Sequence, residues 1–355
     1  MSKKVLIAAA GTGGHLFPAQ ALAQELQALG LEVRFAGHGL SSNRYFNKEE
    51  FTYDDVSSAT PYNKNVLKAA FEISKGLKKS LKIVRSFKPD IVVGFGSFHS
   101  FPVLLATLFF KVPVVVFEAN SIPGKVNRFF SRFAYLSAVH FPEAGLKLFG
   151  KMREVAMPLW KGVRSTQERA RDYFSLDVKK DTLLVFGGSQ GALSINTLLF
   201  ETAPHFAGEF QVIHFTGDKN SLEEMKRRYE ELNISACVKE FEPRMDLAWQ
   251  AATMAVCRSG AATLAELIEY EVPAILLPYP HAADDHQRKN AECMEKTGGA
   301  FCFRDTESFL DIFIRCKKEN SIMQQAIRAF KQGENKSSLS SLINEVLCMK
   351  STSIS

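Results

Sequence analysis

The chain has 355 residues, 46% of them apolar, and a formal net charge of +6. That length buries two ordinary cores and suits two domains better than one, while so mild a charge is no argument for nucleic-acid binding. The six cysteines, at 237, 257, 293, 302, 316 and 348, form no C-x-x-C pair and no zinc-type spacing with histidine, which points to a reducing compartment and no structural metal.

Val5 to Ala10 reads as a buried strand, too short and too soon followed by glycine to be the core of a signal peptide. Gly11, Gly13 and Gly14 predict a tight turn, and Pro18 to Leu29 predicts the helix after it. Such a turn aims backbone N–H groups and the positive helix end at an anionic or sugar-bearing ligand. A dinucleotide is disfavoured here: Leu16 takes the third glycine position of G-x-G-x-x-G, and the second strand, Val33 to Ala36, ends in Gly37-His38 rather than an acid.

Between Lys64 and Lys88 there are eight cations and one acid, Glu72, interleaved with Phe71, Ile73, Leu77, Leu81 and Val84. Helical periodicity with basic edges suits a surface lying on anionic lipid; the plainer reading of the stretch alone is an amphipathic helix with solvated lysines. Asp90 to Pro102 and Val112 to Glu118 each predict a strand opening into a loop, which makes His99, Glu118 and Asn120 site candidates or simple turn-closing residues. The longest apolar segment, Phe101 to Phe110, is stopped by Lys111 and Pro113, well short of the ~20 residues that span a bilayer.

A break at Met157 to Gly162 reads as an interdomain linker, separating a domain over 1–158 from one over 165–332. Thr182 to Ala192 repeats the strand, glycine turn and helix of the start, with Ser189 placed to meet phosphate. Two such units predict α/β domains with parallel sheets facing a central cleft. Strands at 210–215, 236–239, 254–257 and 274–277 then alternate with helices. Ala255 to Glu266 predicts a strand running through Ser259-Gly260 into a helix, with N–H groups near Ala261 to Thr263 free for phosphate and Glu266 able to hold both hydroxyls of a ribose. Leu277 to Ala291 sets polar side chains, Asp284, Asp285 and Gln287 among them, at a helix start suited to sugar hydroxyls. A last helix is expected over 337–348.

These motifs, in this order, resemble the MurG family, bacterial transferases that add N-acetylglucosamine to the lipid-linked precursor of peptidoglycan. The resemblance rests on Gly11-Thr-Gly-Gly-His-Leu-Phe-Pro18, Gly94-Phe-Gly-Ser97, Glu118-Ala-Asn120, Gly187-Gly-Ser-Gln-Gly-Ala192, Cys257-Arg-Ser-Gly260 through Glu266, and Asp285-His-Gln-Arg-Lys-Asn-Ala291. It implies the GT-B fold, with the donor held mostly by the second domain, the acceptor by the first, and the last helix returning to the first. It also implies an inverting transfer from UDP-N-acetylglucosamine to an undecaprenyl-pyrophosphoryl-muramyl-peptide at the cytoplasmic face of the bacterial inner membrane.

Position by position, the resemblance puts Ser189 on the donor diphosphate, with the helix start at Ala261, Ala262, Thr263, Leu264 and Ala265 facing the same group. It puts Glu266 on the uridine ribose, the backbone of Glu242 on uracil, Gln287 on hydroxyls of the transferred sugar, and Thr12, Gly13, Gly14 and Asn120 along that sugar. His15 is the expected base, with Glu118 next in line. No metal and no other cofactor is expected, since no Asp-x-Asp pair closes a strand. The membrane patch is expected at Lys68, Phe71, Lys75, Lys78, Lys79, Leu81, Lys82 and Arg85, joined by Phe109-Phe110 and Phe129-Phe130. The family's Gly-Asn-Pro-Val-Arg is here Ala156-Met-Pro-Leu-Trp160, so Lys161 or Arg164 substitutes for its arginine or the helix terminus carries more of the diphosphate; its paired glutamines are His286-Gln287. The rivals are a UDP-N-acetylglucosamine 2-epimerase of the same fold and a catalytically silent UDP-sugar-binding subunit.

Overall fold

The computed structural model describes residues 2–60, 66–160, 162, 165–188, 191–304, 306–333 and 336–352, the side chains of 350–352 excepted. The chain divides into two units, residues 1–160 with 336–355 and residues 161–335. Along the first run β1 (Lys4–Ala8), α1 (Gly13–Ala28), β2 (Glu32–Gly37), β3 (Tyr53–Asp55), α2 (Val66–Phe87), β4 (Ile91–Gly94), α3 (Phe101–Thr107), β5 (Val114–Glu118), α4 (Lys125–Phe130), β6 (Leu136–Val139), α5 (Pro142–Gly145) and β7 (Met152–Ala156). The second holds α6 (Gln167–Tyr173), β8 (Thr182–Phe186), α7 (Leu193–Thr202), β9 (Gln211–Phe215), α8 (Lys219–Glu231), β10 (Ala236–Lys239), α9 (Met245–Ala251), β11 (Met254–Cys257), α10 (Ala261–Tyr270), β12 (Ala274–Leu276), α11 (His286–Lys296), β13 (Ala300–Cys302) and α12 (Phe309–Gly333). The chain then returns to the first unit as β14 (Ser337–Ser338) and α13 (Leu339–Thr352).

The first sheet has eight strands in the order β14-β7-β6-β5-β4-β1-β2-β3, the second six in the order β10-β9-β8-β11-β12-β13, and every strand pair is parallel. Strands buried on both faces explain why β1, β4, β8 and β11 read as unbroken apolar runs. In each sheet the order reverses beside its first strand, between β1 and β4 and between β8 and β11. At such a switch point the loops leaving the carboxyl ends part and leave room for a ligand.

The first helix begins at Gly13, not at Pro18, which lies inside it. The turn is made by Gly11 alone, whose φ of +99° excludes most side chains and whose missing Cβ would sit 3.2 Å from His99 Nδ1. Gly191 does the same work before α7: its φ is +71° and a Cβ there would come within 2.7 Å of the Thr216 carbonyl oxygen. A buried chain then fixes α7 to β9. Tyr229 Oη donates to His214 Nδ1 (3.0 Å), His214 Nε2 donates to Asn196 Oδ1 (3.1 Å), and Asn196 Nδ2 donates to the Thr216 carbonyl (3.1 Å).

In α2 the residues at 69, 76, 80, 83, 84 and 87 are buried, a stripe of helical spacing. Leu77 and Leu81 pack against the core it joins. Leu81 therefore does not belong to the surface patch assigned to it from the sequence: its spacing from Leu77 and Val84 places it on the inward stripe. The apolar residues that α2 exposes lie nearer its start, Leu67 at 85% and Phe71 at 67%. Lys68, Lys75, Lys78, Lys79, Lys82 and Arg85 share the exposed side; Lys64 lies outside the described residues. Phe129 of α4 is exposed, as are Phe109 just past α3 and Phe133 just past α4, and Phe101 of α3 touches both Phe129 and Phe130 of α4.

The returning segment adds a two-residue strand to the edge of β7 and lays the apolar stripe Leu339, Leu342, Ile343, Val346 and Leu347 into the first unit. Ser340 Oγ donates to Glu25 Oε2 of α1 (2.6 Å), and Arg153 of β7 forks onto both oxygens of Glu345 (2.8 and 2.9 Å). Among the described residues no helix is long and apolar enough to cross a membrane.

Candidate active site

Thr12, Gly13, Gly14, His15 and His99 lie on the segments leaving β1 and β4 at the switch point, while Glu118 and Asn120 lie at the end of the adjacent β5. His15, in the first turn of α1, donates from Nδ1 to the carbonyl oxygen of Phe95 after β4 (2.9 Å). A carbonyl only accepts, so the neutral ring carries its proton on Nδ1 and its lone pair on Nε2, the form a base requires. Thr12 precedes the helix without capping it through its side chain, and the N–H groups of Gly13 and Gly14 meet no acceptor among the described residues. His99 stands beside this loop, its Nδ1 2.9 Å from Ser97 Oγ and its ring stacked on His38 at 5.5 Å. Burial, then the nearby His38 and His15, hold His99 below the usual imidazole range.

Glu118 is a brace rather than a reserve base. One oxygen accepts from the N–H and Nδ2 of Asn120 (3.0 and 3.3 Å), the other from the Gly124 N–H and Asn127 Nδ2 (2.9 Å each), and the side chain is buried. A carboxylate holding four donors is committed to shaping the loop after β5, and Asn120 is placed by it.

In the second unit α10 starts after Gly260, which offers no side-chain cap, and no acidic residue lies in its first turn. The N–H groups of Ala261, Ala262 and Thr263 meet no acceptor among the described residues, while Leu264 closes the first backbone bond, to Gly260. These unspent donors and the helix dipole suit an anion. Leu264 and Ala265 are buried and serve packing.

Glu266 stands on the next turn of α10, where its Oε2 accepts the indole N–H of Trp249 from α9 (2.9 Å). Its carboxyl is raised to about 7: burial raises it most, the Trp249 hydrogen bond opposes that rise, and the charge of Asp246 adds to it. The folded chain thus binds this proton more tightly than the unfolded chain. The resulting stability is full below about pH 4.5 and is lost as pH rises toward 7.

Gln287, in the first turn of α11, is half committed. Its Oε1 accepts the Tyr279 N–H (2.9 Å) and its carbonyl accepts Ser259 Oγ (2.7 Å). What it can offer a sugar is the Nε2 amide. The Glu242 side chain is buried in an ion pair with Lys239 (2.6 Å) and accepts the Arg244 N–H (2.9 Å). Its backbone N–H and carbonyl bond no other described residue. Ser189, Lys161 and Arg164 lie outside the described residues.

Two residues escaped the sequence. Arg258, after β11, donates to the carbonyls of Leu277 and Pro278 (2.9 and 3.0 Å) and to Ser194 Oγ (2.8 Å), tying the loop after β12 to α7. Its place between the strand and Ser259-Gly260 was a usable signal. Trp249 carried none, since a tryptophan in an apolar helix reads as core.

Known proteins resemble this arrangement along nearly all of it. The glycosyltransferase family 28 N-terminal domain matches residues 5–138 and the family's C-terminal domain residues 182–340. A relative from Protochlamydia amoebophila, the UDP-N-acetylglucosamine--N-acetylmuramyl-(pentapeptide) pyrophosphoryl-undecaprenol N-acetylglucosamine transferase, is 46% identical over 301 residues, 82% of this chain and 80% of its own. The chain belongs to the MurG family. The enzyme of the same name from Geobacter sulfurreducens is 36% identical, covering 92% of this chain and 89% of its own. Acinetobacter baumannii MurG superposes with a TM-score of 0.72 at 24% identity, covering 98% and 99% of the two chains, which places the fold among the GT-B glycosyltransferases. Like the MurG family generally, the chain is a hexosyltransferase.

Proposed function

We propose that the chain moves N-acetylglucosamine from UDP-N-acetylglucosamine to the N-acetylmuramyl-(pentapeptide) pyrophosphoryl-undecaprenol, the transfer its relatives are named for, in peptidoglycan synthesis. The observation that carries this is the pairing on one helix of three unspent N–H groups at the start of α10 with an anchored carboxylate at Glu266. Diphosphate and ribose of a nucleoside-diphosphate sugar need that pair.

In this reading Ser189 and the start of α10, from Ala261 to Thr263, meet the diphosphate. Glu266 takes the ribose hydroxyls, the Glu242 backbone reads uracil, and Gln287 Nε2 donates to the sugar. Thr12, Gly13, Gly14 and Asn120 are the first unit's candidates for contact with the sugar. An acceptor hydroxyl oxygen bonds to the anomeric carbon while the bond to the diphosphate oxygen breaks, its electrons leaving with UDP and the configuration inverting. His15 Nε2 takes the hydroxyl proton, and N–H donors stabilise the leaving charge without a metal.

Purified protein given both substrates is expected to yield disaccharide lipid and UDP in equal amounts, undiminished by a chelator. Given UDP-N-acetylglucosamine alone it is expected to yield no UDP-N-acetylmannosamine. Appearance of the manno epimer would establish the rival epimerase, and loss of turnover with chelator would restore a metal to the site.

An acceptor with a lipid tail is met at a membrane surface, and we infer that the exposed side of α2 meets that surface on the cytoplasmic face. Leu67 and Phe71 offer apolar surface, and each lysine near an anionic surface adds about 1 kcal/mol. Binding to vesicles is expected to rise with anionic lipid and fall with salt, and the triple change Lys75→Glu, Lys78→Glu, Lys82→Glu is expected to weaken it more than about tenfold. Binding that ignores both salt and the triple change would remove α2 from the membrane.

A further inference from the structure

Trp249 is fully buried on α9, its ring set edge-on against Phe186 of β8 at 5.6 Å and 90°. A buried indole N–H needs an acceptor, and this one takes Glu266 Oε2 at 2.9 Å. Glu266 Oε1 accepts nothing from another described residue, so the two oxygens of one carboxylate have different occupations.

Resting on the donor assignment above, we propose that Trp249 is a positioning residue: its N–H anchors one oxygen of Glu266, fixes the carboxylate plane and presents the other oxygen to the ribose of the uridine donor. Ribose hydroxyls donate to an ionised carboxylate more strongly than to a carboxylic acid. Donor affinity therefore depends on how easily Glu266 ionises, and the indole favours the ionised form.

The other groups facing Glu266 do not do this. Asp246, one turn earlier on α9, repels its charge, and both Asp246 oxygens are held by Arg244 (2.9 and 2.8 Å). Cys257, at the end of β11, is a buried thiol that burial pushes up. From α12, Arg328 pairs with Glu271 and Lys331 with Glu269 and Glu271, at the far end of α10. On α11, Arg288 pairs with Asp285 and Lys289 with Glu292. β8 contributes the uncharged Phe186. Against burial and Asp246, which raise the carboxyl, stands the indole N–H, and the balance of the three lies at about 7.

The chain has two tryptophans, Trp160 and Trp249, so the indole resonances of the full-length protein labelled with 15N-indole tryptophan are assigned by Trp160→Phe. In the wild type the Trp249 resonance is expected to titrate with a midpoint near 7, and saturating UDP-N-acetylglucosamine, whose diphosphate does not titrate there, is expected to lower that midpoint by about one unit or more. Glu266→Gln should abolish the titration. Trp249→Phe should weaken the donor about fivefold at pH 7, about tenfold below about pH 6, and approach the wild type by about pH 9, because raising the midpoint by one unit cuts the ionised fraction up to tenfold. A resonance flat across this range, a bound donor that leaves its midpoint unmoved, or a Trp249→Phe loss equal at every pH would overturn the role of Trp249. Failure of the wild type to bind UDP-N-acetylglucosamine at all would instead refute the donor assignment on which it rests.

Discussion

Replacing His15 with alanine is expected to lower kcat by about a hundred- to ten-thousandfold, the usual range for a lost general base, and to leave UDP affinity within about twofold. The two effects separate because His15 belongs to the first unit, against Phe95, whereas the groups assigned to uridine and diphosphate belong to the second. The hydrogen bond from Nδ1 to the Phe95 carbonyl also predicts that asparagine will not rescue the loss, since an amide can keep that donor but supplies no basic nitrogen. Stopped-flow turnover and UDP titration on the same preparation check the split. Turnover near wild type would move the base elsewhere, and Glu118, with four donors on its two oxygens, is poorly placed to replace it.

Glu266→Ala is expected to raise the donor KM by about a hundredfold with kcat changed less than about threefold, because hydrogen bonds to a charged group are worth about 1.5–3 kcal/mol each and the ribose keeps them throughout the reaction. The ribose lies away from the reacting carbon, so its contacts bind ground state and transition state alike. A donor lacking the 2′-hydroxyl provides the second arm of a double-mutant cycle. The wild type should discriminate against it and the variant should not. If Glu266→Ala and the wild type discriminate equally, the carboxylate does not touch that hydroxyl.

The strands on either side of each switch point were legible because parallel strands covered on both faces leave long apolar runs that stop at glycine loops. Helix starts were less so. Pro18 carries the usual signature of a first helical turn, yet the helix already begins at Gly13, where two glycines occupy positions whose N–H groups have no partner within the helix. Leu81 was drawn outward by the lysines around it, although its spacing from Leu77 and Val84 keeps it on the inward stripe. At the site, the loops and their candidate side chains could be listed from motifs, but not how their hydrogen bonds are already spent. The commitments of Glu118 to Asn127 and of Gln287 to Tyr279 each join a strand end to a later helix or turn. Trp249 was hidden for a stronger reason: it reaches Glu266 across an intervening strand, and no local periodicity distinguishes it from any other core aromatic.

The return of the last segment to β7 has a consequence for biosynthesis. Residues 161–335 leave the ribosome as one block while the border of the first sheet still waits for Ser337 and Ser338. For the time needed to translate about half the protein, β7 keeps a row of unsatisfied amides and carbonyls, and α1 lacks its cover of leucines. Chaperone engagement during elongation should fall on residues 1–160 of the nascent polypeptide, and end only when residues 336–355 emerge.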